Sequence, residues 1–233
     1  MINIPLKPYL EISKAKKCLV LLSSGLDSTV NLYCAHKMST VSLALTINYG
    51  QKASNNEIRY SKKLSEQLNI PHMVLEFPFF QNFTSSALIN SKMEVPKGSE
   101  VDIHSQSQSE VTAKKVWVPN RNGVFINIAA AIAESQGIDQ VIVGFNSEEA
   151  KTFPDNSEDF IESCNQSLSF STKNNVKVNC FTSHLDKTEI VQLGKSLQVN
   201  FEDIWPCYES SLEKCGVCES CLRFKRAMEE SLQ

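Results

Sequence analysis

The chain has 233 residues, 42% of them hydrophobic, with a formal net charge of −3 and a sequence pI of about 5.9. That length suits one large domain, or one domain with a small appendage, and that apolar share excludes wholesale disorder. The acidic balance does not suggest a basic face for a nucleic-acid backbone, and no apolar run reaches the length of a membrane span.

The opening stretch, MINIPLKPYLEISKAKK, lacks the long apolar segment of a secretory signal, so the cytoplasm is the expected location. The apolar run 18–22 ends in a Ser/Gly turn and reads as a buried strand. A short helix follows over 28–37, then a strand over 41–47. A second helix spans 57–68, with Ile58, Leu64 and Leu68 on one stripe, and a third strand spans 73–77. The polar stretch 98–115 reads as a loop or an ordered insertion. A helix over 122–136 places Phe125, Ile128, Ala129, Ile132 and Ala133 at helical spacing, and Gly137 ends it. Strands at 140–144 and 176–181 and a helix over 186–197 complete the series. Strands alternating with helices imply an α/β fold: a Rossmann-like parallel sheet with helices on both faces, which binds ligands beyond the carboxyl ends of its strands. We expect this domain to cover 1–200 and a small metal-binding segment to cover 201–233.

Two local patterns carry chemistry. SSGLDS, Ser23 to Ser28, joins the first strand to the first helix. A helix N-terminus offers unpaired N–H groups and a partial positive charge to a phosphate, Gly25 permits close approach, and the serines add hydroxyl donors. Asp27 suits that place if it holds a metal ion or caps the helix. The alternative is a plain capped turn. No Walker A or GxGxxG pattern is present.

The second pattern is Cys207, Cys215, Cys218 and Cys221. Four thiolates with two Cys-x-x-Cys steps suit a tetrahedral Zn²⁺, and Gly216 suits the tight turn of a knuckle. Disulfides and an iron–sulfur cluster are the competitors, and a redox pair would explain only two of the four. Four thiolates leave no open coordination position, so such a site is structural. Cys18, Cys34, Cys164 and Cys180 are scattered and read as small core residues.

SSGLDS resembles the SGGxDS loop of the N-type ATP pyrophosphatases, which cleave ATP between its α- and β-phosphates and form adenylated intermediates. Ser24 stands where that pattern has Gly, which bears on the backbone angle there. Together with the cysteine tail, it resembles the 7-cyano-7-deazaguanine synthase family over about 18–223. Tyr49-Gly50-Gln51 with Glu57-Ile58 looks like the family's YGQ…EI. Ser86-Ala87-Leu88 and Glu94-Val95-Pro96 match its SAL…VP stretch. Val118-Pro119-Asn120-Arg121-Asn122 with Phe125 looks like VPxRNxxF. Lys187, Glu189-Ile190-Val191 and Leu193-Gly194 match KxEIVxLG. Trp205, Cys207 and Tyr208 with the later cysteines complete the tail.

The resemblance implies conversion of 7-carboxy-7-deazaguanine and ammonia to the nitrile, with ATP used twice, first on the acid and then on the amide. It implies ATP, Mg²⁺ and Zn²⁺. Ser23, Ser24, Gly25, Leu26, Asp27 and Ser28, with Tyr49 and Gln51, would hold ATP. Asp27 would help hold Mg²⁺, and Lys187 would neutralise developing phosphate charge. Arg121 would reach phosphate or carboxylate with a fork of donors. Substrate would meet Arg121, Asn122, Asn146, Phe153 and Asp155. Each has a plain alternative: a solvated helix face for Lys187 and Glu189, a cap or ion pair for Arg121, packing for Trp205 and Tyr208.

One stretch departs from the family's N-x-x-D-Y-S-G-Y-P-D-C-R-P-E-F. Asn146, Pro154, Asp155 and Phe160 are kept, but Glu149-Ala150-Lys151-Thr152 and Asn156-Ser157 differ. We read these departures as bearing on substrate rather than ATP. They leave open a paralogue that stops at the amide or passes the acid to another amine, a protein amine among them. A tRNA-modifying ATP pyrophosphatase would need a basic surface that the charge does not advertise. A non-catalytic zinc-stabilised binding protein is the remaining class, against which Asp27, Arg121 and Lys187 speak. No amidotransferase-like segment is recognised, so nitrogen would come from free ammonia or another amine, and a homodimer is compatible with the reading.

Overall fold

β1 (Lys17–Leu21) lies at the centre of a five-stranded parallel sheet with β2 (Thr40–Asn48), β3 (His72–Glu76), β4 (Gln140–Ile142) and β5 (Lys177–Asn179), in the order β3-β2-β1-β4-β5. The computed structural model describes residues 16–232, so most of the stretch read for a secretory signal lies outside the described residues. Parallel strands demand crossovers, and the helices that make them cover both faces. Side-chain alternation along β1 shows this directly. Leu19 belongs to one core with Leu45, Val141 and Val178. Cys18, Val20 and Leu22 belong to the other with Ala44 and Ile142.

α1 (Leu26–Met38) and α7 (Lys187–Ser196) fill the second face, together with Leu64 of α2 (Ser54–Gln67). α4 (Arg121–Ser135) covers the first face through Ile126, Ala129, Ala130 and Ala133. The expected stripe had included Phe125, Ile128 and Ile132, which are half-buried at its edges. α6 (Glu158–Ser171) docks beside it through Ile161 and Leu168.

The polar stretch 98–115 is an ordered insertion. Ser105 caps α3 (Gln106–Val116), its hydroxyl accepting from the Gln108 N–H. Thr112 Oγ1 donates to Glu219 Oε2 at 2.9 Å, which ties α3 to α8 (Glu219–Glu230) in the cysteine tail. The tail joins both cores, Trp205, Cys207, Cys218 and Cys221 in one and Ile204 and Ala227 in the other. α5 (Ser147–Ala150) is a single turn after β4. Among the described residues, no helix is long and apolar enough to cross a membrane.

Candidate active site

The chain reverses its direction of strand addition at β1, with β2 on one side and β4 on the other. Ligands bind such sheets in the crevice outside the strand ends at that point. A cavity of about 260 Å³ opens there, lined by Ser23, Gly25, Leu26, Asp27 and Ser28 on one wall. Gly25 caps α1 with extended backbone and no side-chain bond, so the first-turn N–H groups of α1 are not claimed by a cap. Ser23 Oγ and Ser28 Oγ lie 3.2 Å apart across the loop mouth. Ser24 is buried behind the loop with φ of 56°, a left-handed angle, and its carbonyl accepts the Trp205 N–H at 2.8 Å. The family's glycine at this place therefore has a conformational reason. Gly144, past the end of β4, is as necessary: a Cβ there would lie 2.5 Å from the Ser28 nitrogen.

Lys187 is the first residue of α7 and is 4% exposed, so the solvated-face alternative fails for it. Asp186 and Glu189 form a capping box, which accounts for Glu189 structurally. Lys187 Nζ meets Asp27 Oδ2 at 3.0 Å and Glu149 Oε1 at 2.8 Å. Burial opposes its charge, but the two carboxylates outweigh it and hold the ammonium above the ordinary lysine range. Asp27 is pushed up by burial, with Lys187 pulling down and Glu149 adding repulsion. Glu149 is held below its ordinary value, because Lys187 and Arg223 outweigh the burial cost. Two carboxylates on one ammonium leave an excess negative charge, and Asp27 Oδ1 is buried without a hydrogen-bond partner among the described residues. An oxygen-seeking divalent cation such as Mg²⁺ fits that donor set.

Arg121, Asn122, Tyr49, Glu57, Phe153 and Asp155 line the cavity too. Left-handed Asn120 turns the chain into α4 and delivers Arg121 to the cavity. Arg121 Nη1 donates to Tyr49 Oη at 3.4 Å, and the guanidinium sits 5.9 Å from the Tyr49 ring centroid. Asn122 Nδ2 donates to the Asp155 carbonyl at 3.2 Å. Burial pushes Glu57 up to about 7, against the pull of Gln51 and Arg121. Trp117 and Phe153 stack at 5.9 Å and 5°, giving the cavity a flat aromatic shelf.

Ser24, Gln51 and Asn146 do not line this cavity. Gln51 stands behind it, accepting the Tyr49 N–H at 2.9 Å and donating to Glu57 Oε2 at 2.7 Å. Asn146 is buried and caps α5, accepting from the Glu149 N–H at 2.9 Å. Sequence reasoning missed Glu149, Glu57 and Trp117 as site residues. Glu149 was legible as a carboxylate three residues after Asn146, where the family pattern has Asp. It faces Asp27 and Lys187, so this departure bears on the phosphate side and keeps the charge.

The sulfur atoms of Cys207, Cys215, Cys218 and Cys221 all lie within 4.8 Å of one another. A Zn–S bond of about 2.3 Å implies tetrahedral edges of about 3.8 Å, so a small ion fits with slight contraction. Backbone N–H groups of Glu209 and Cys215 donate to Cys207 Sγ at 3.4 Å, and that of Cys218 to Cys215 Sγ at 3.4 Å. Such bonds stabilise thiolates. Gly216 takes φ of 71° in the turn. No disulfide joins the described cysteines.

Known proteins share this sequence over most of its length. A family model described as "Queuosine biosynthesis protein QueC" matches residues 17–232. A protein of Bdellovibrio bacteriovorus named 7-cyano-7-deazaguanine synthase is 56% identical over 93% of this chain and 94% of its own. One of the same name from Carboxydothermus hydrogenoformans is 51% identical over 91% and 98%. An archaeal one from Methanosarcina mazei is 44% identical over 91% and 93%. The chain belongs to the QueC family of queuosine biosynthesis proteins.

Proposed function

We propose that this chain is an ATP-dependent carbon–nitrogen ligase that converts 7-carboxy-7-deazaguanine and ammonia, through the amide, to 7-cyano-7-deazaguanine. The observation that carries the reading is the set of relatives named for the nitrile synthase, alignable over nine-tenths of the chain. The site geometry supports it. A carboxylate is a poor electrophile because its leaving group would be oxide. Attack of the substrate carboxylate on the α-phosphorus of ATP expels pyrophosphate and leaves an acyl adenylate. Ammonia then adds at the acyl carbon, loses a proton and expels AMP. The amide oxygen then attacks the α-phosphorus of a second ATP and expels pyrophosphate, and loss of AMP and the two remaining N–H protons leaves the nitrile.

In this reading the Ser23–Ser28 loop and the α1 N-terminus receive the phosphates. Lys187 holds a fixed positive charge against the negative charge that develops on phosphate oxygens. Asp27 and Glu149 would hold Mg²⁺, which supplies charge neutralisation on the polyphosphate when bound. Arg121 meets the substrate carboxylate, and the Trp117–Phe153 shelf receives the planar ring. Seating the reacting groups within the cavity, beside its apolar lining, limits interception of the adenylate by water. Cys207, Cys215, Cys218 and Cys221 hold Zn²⁺ as a structural site in a C-terminal segment over 201–233.

Mass spectrometry of reactions containing the purified protein, Mg-ATP, 7-carboxy-7-deazaguanine and ammonium tests this. AMP and the nitrile together are expected. Amide without nitrile, or AMP formed only when another amine is supplied, would overturn the nitrile assignment.

A further inference from the structure

Lys187 is gripped from both ends by consecutive glutamates of one short helix. Glu149 takes its ammonium, while Glu148 Oε1 accepts its backbone N–H at 3.0 Å. Glu148 spends the rest of its acceptor capacity on the cysteine-bearing tail. Arg226 Nη2 donates to Oε1 at 2.6 Å and Arg223 Nη1 to Oε2 at 3.2 Å. These side chains are largely enclosed, Glu148 at 15% and Arg223 at 13% exposure, so solvent screens them only partly. Arg223 is itself braced by Glu219 Oε1 at 2.8 Å and by Ser109 Oγ of α3 at 3.2 Å. Both arginines lie on α8, which starts from Cys218 and carries Cys221. A continuous set of contacts therefore runs from the four-cysteine knuckle through α8 and Glu148 to the backbone N–H of Lys187.

The weak point in that series is α5. It is one turn long and buries no residue of its own. Beyond its contacts with the turn at Pro154–Asn156, its orientation rests on its end contacts: the Asn146 cap, the Ser147 N–H to the Leu185 carbonyl at 2.9 Å, and the two glutamates. Loss of the Glu148 carboxylate would release α5 from α8 and leave the first N–H of α7 unbonded. Both ends of the Lys187 alignment would loosen together.

We propose that Glu148 is a positioning residue, through which the cysteine-bearing C-terminal helix sets the place of Lys187 against Asp27 and Glu149. This rests on the ligase reading for its kinetic consequence, and on geometry alone for its effect on Lys187. Misplacement of a catalytic group by a fraction of an ångström to an ångström costs rate more than affinity.

The test uses Glu148→Ala and Glu148→Gln in the full, metal-loaded chain. Glu148→Ala is expected to lower kcat by about tenfold to a hundredfold, with KM for ATP within about threefold and metal content as in the unsubstituted protein. Acetylation of Lys187 by a small anhydride, followed by peptide mass spectrometry, should rise severalfold. Glu148→Gln keeps an acceptor oxygen for the Lys187 N–H and should recover part of both losses. Unchanged kcat together with unchanged Lys187 labelling would overturn the proposal. So would a fall in kcat that matches a fall in metal content, with the loaded fraction fully active, since that is a purely structural role. Should the unsubstituted protein form no nitrile, the ligase reading fails while the labelling still decides the place of Lys187.

Discussion

At Ser24, chemistry and conformation pull in different directions. Its φ of 56° costs an L-residue roughly 1–2 kcal/mol, and its hydroxyl recovers a part by donating to the Ser23 carbonyl at 2.6 Å. Ser24→Gly is expected to stabilise the fold by up to about 1 kcal/mol, less than the full strain because an unfolded glycine is freer. Denaturant unfolding measures this, and a loss of stability would mean that the hydroxyl bond outweighs the strain. Glu57 offers a prediction in pH. Burial raises its carboxyl from 4.5 to about 7, so the folded state binds the proton more tightly than the unfolded state. Its contribution is complete below pH about 4.5 and is lost as the pH rises to about 7. Glu57→Gln should flatten that part of the stability–pH curve and raise the melting temperature at neutral pH. An unaltered slope would show that Glu57 does not titrate there. The loop pattern marked Asp27, and the family resemblance marked Lys187. Neither showed that Glu149 shares their ammonium, because a contact between 149 and 187 exists only once β4 and α7 are assembled.

The elements were unevenly legible. β1 and β2 announce themselves as apolar runs, and α4 by its helical spacing, because burial on a central sheet leaves little choice of residue. α6 was silent. Its serines and Asn165 are weak helix formers, and only Ile161 and Leu168 are buried. α8 was hidden inside the cysteine pattern, although Cys221, Phe224, Ala227 and Met228 are spaced to face one side. α3 read as a loop or insertion because its sequence, QSQSEVTAKKV, is polar, and its order comes from the tail it packs on. Gly144 belongs to this scale too, since it sets how closely β4 approaches α1. Gly144→Ala would push a methyl group into the Ser28 backbone. We expect a loss of about 1–3 kcal/mol and a collapse of ATP cleavage as the phosphate loop is displaced. Normal turnover in that variant would show that the loop tolerates the shift.

Across the whole molecule, the tail is built into the site. Trp205 bonds the Ser24 carbonyl and stacks on Tyr60 at 5.3 Å, and Tyr208 lines the cavity. Cys218→Ser should therefore lose bound metal, lower the melting temperature and lower ATP cleavage together. Retained metal and an unchanged melting temperature would refute a structural zinc site. The sequence by itself determined the α/β class, the loop after β1 and the four-cysteine cluster. Each is a local pattern whose physics acts within a few residues: apolar runs, a helix start and closely spaced thiols. Only the tertiary structure decided that Asp27 and Glu149 meet the buried Lys187 in one cluster, that Gln51 and Asn146 stand behind the cavity, and that Glu148 joins α5 to the tail. Asp27, Glu149 and Lys187, like Glu148 and the arginines of α8, are far apart in the chain, and the strand order, which no local pattern encodes, brings them together.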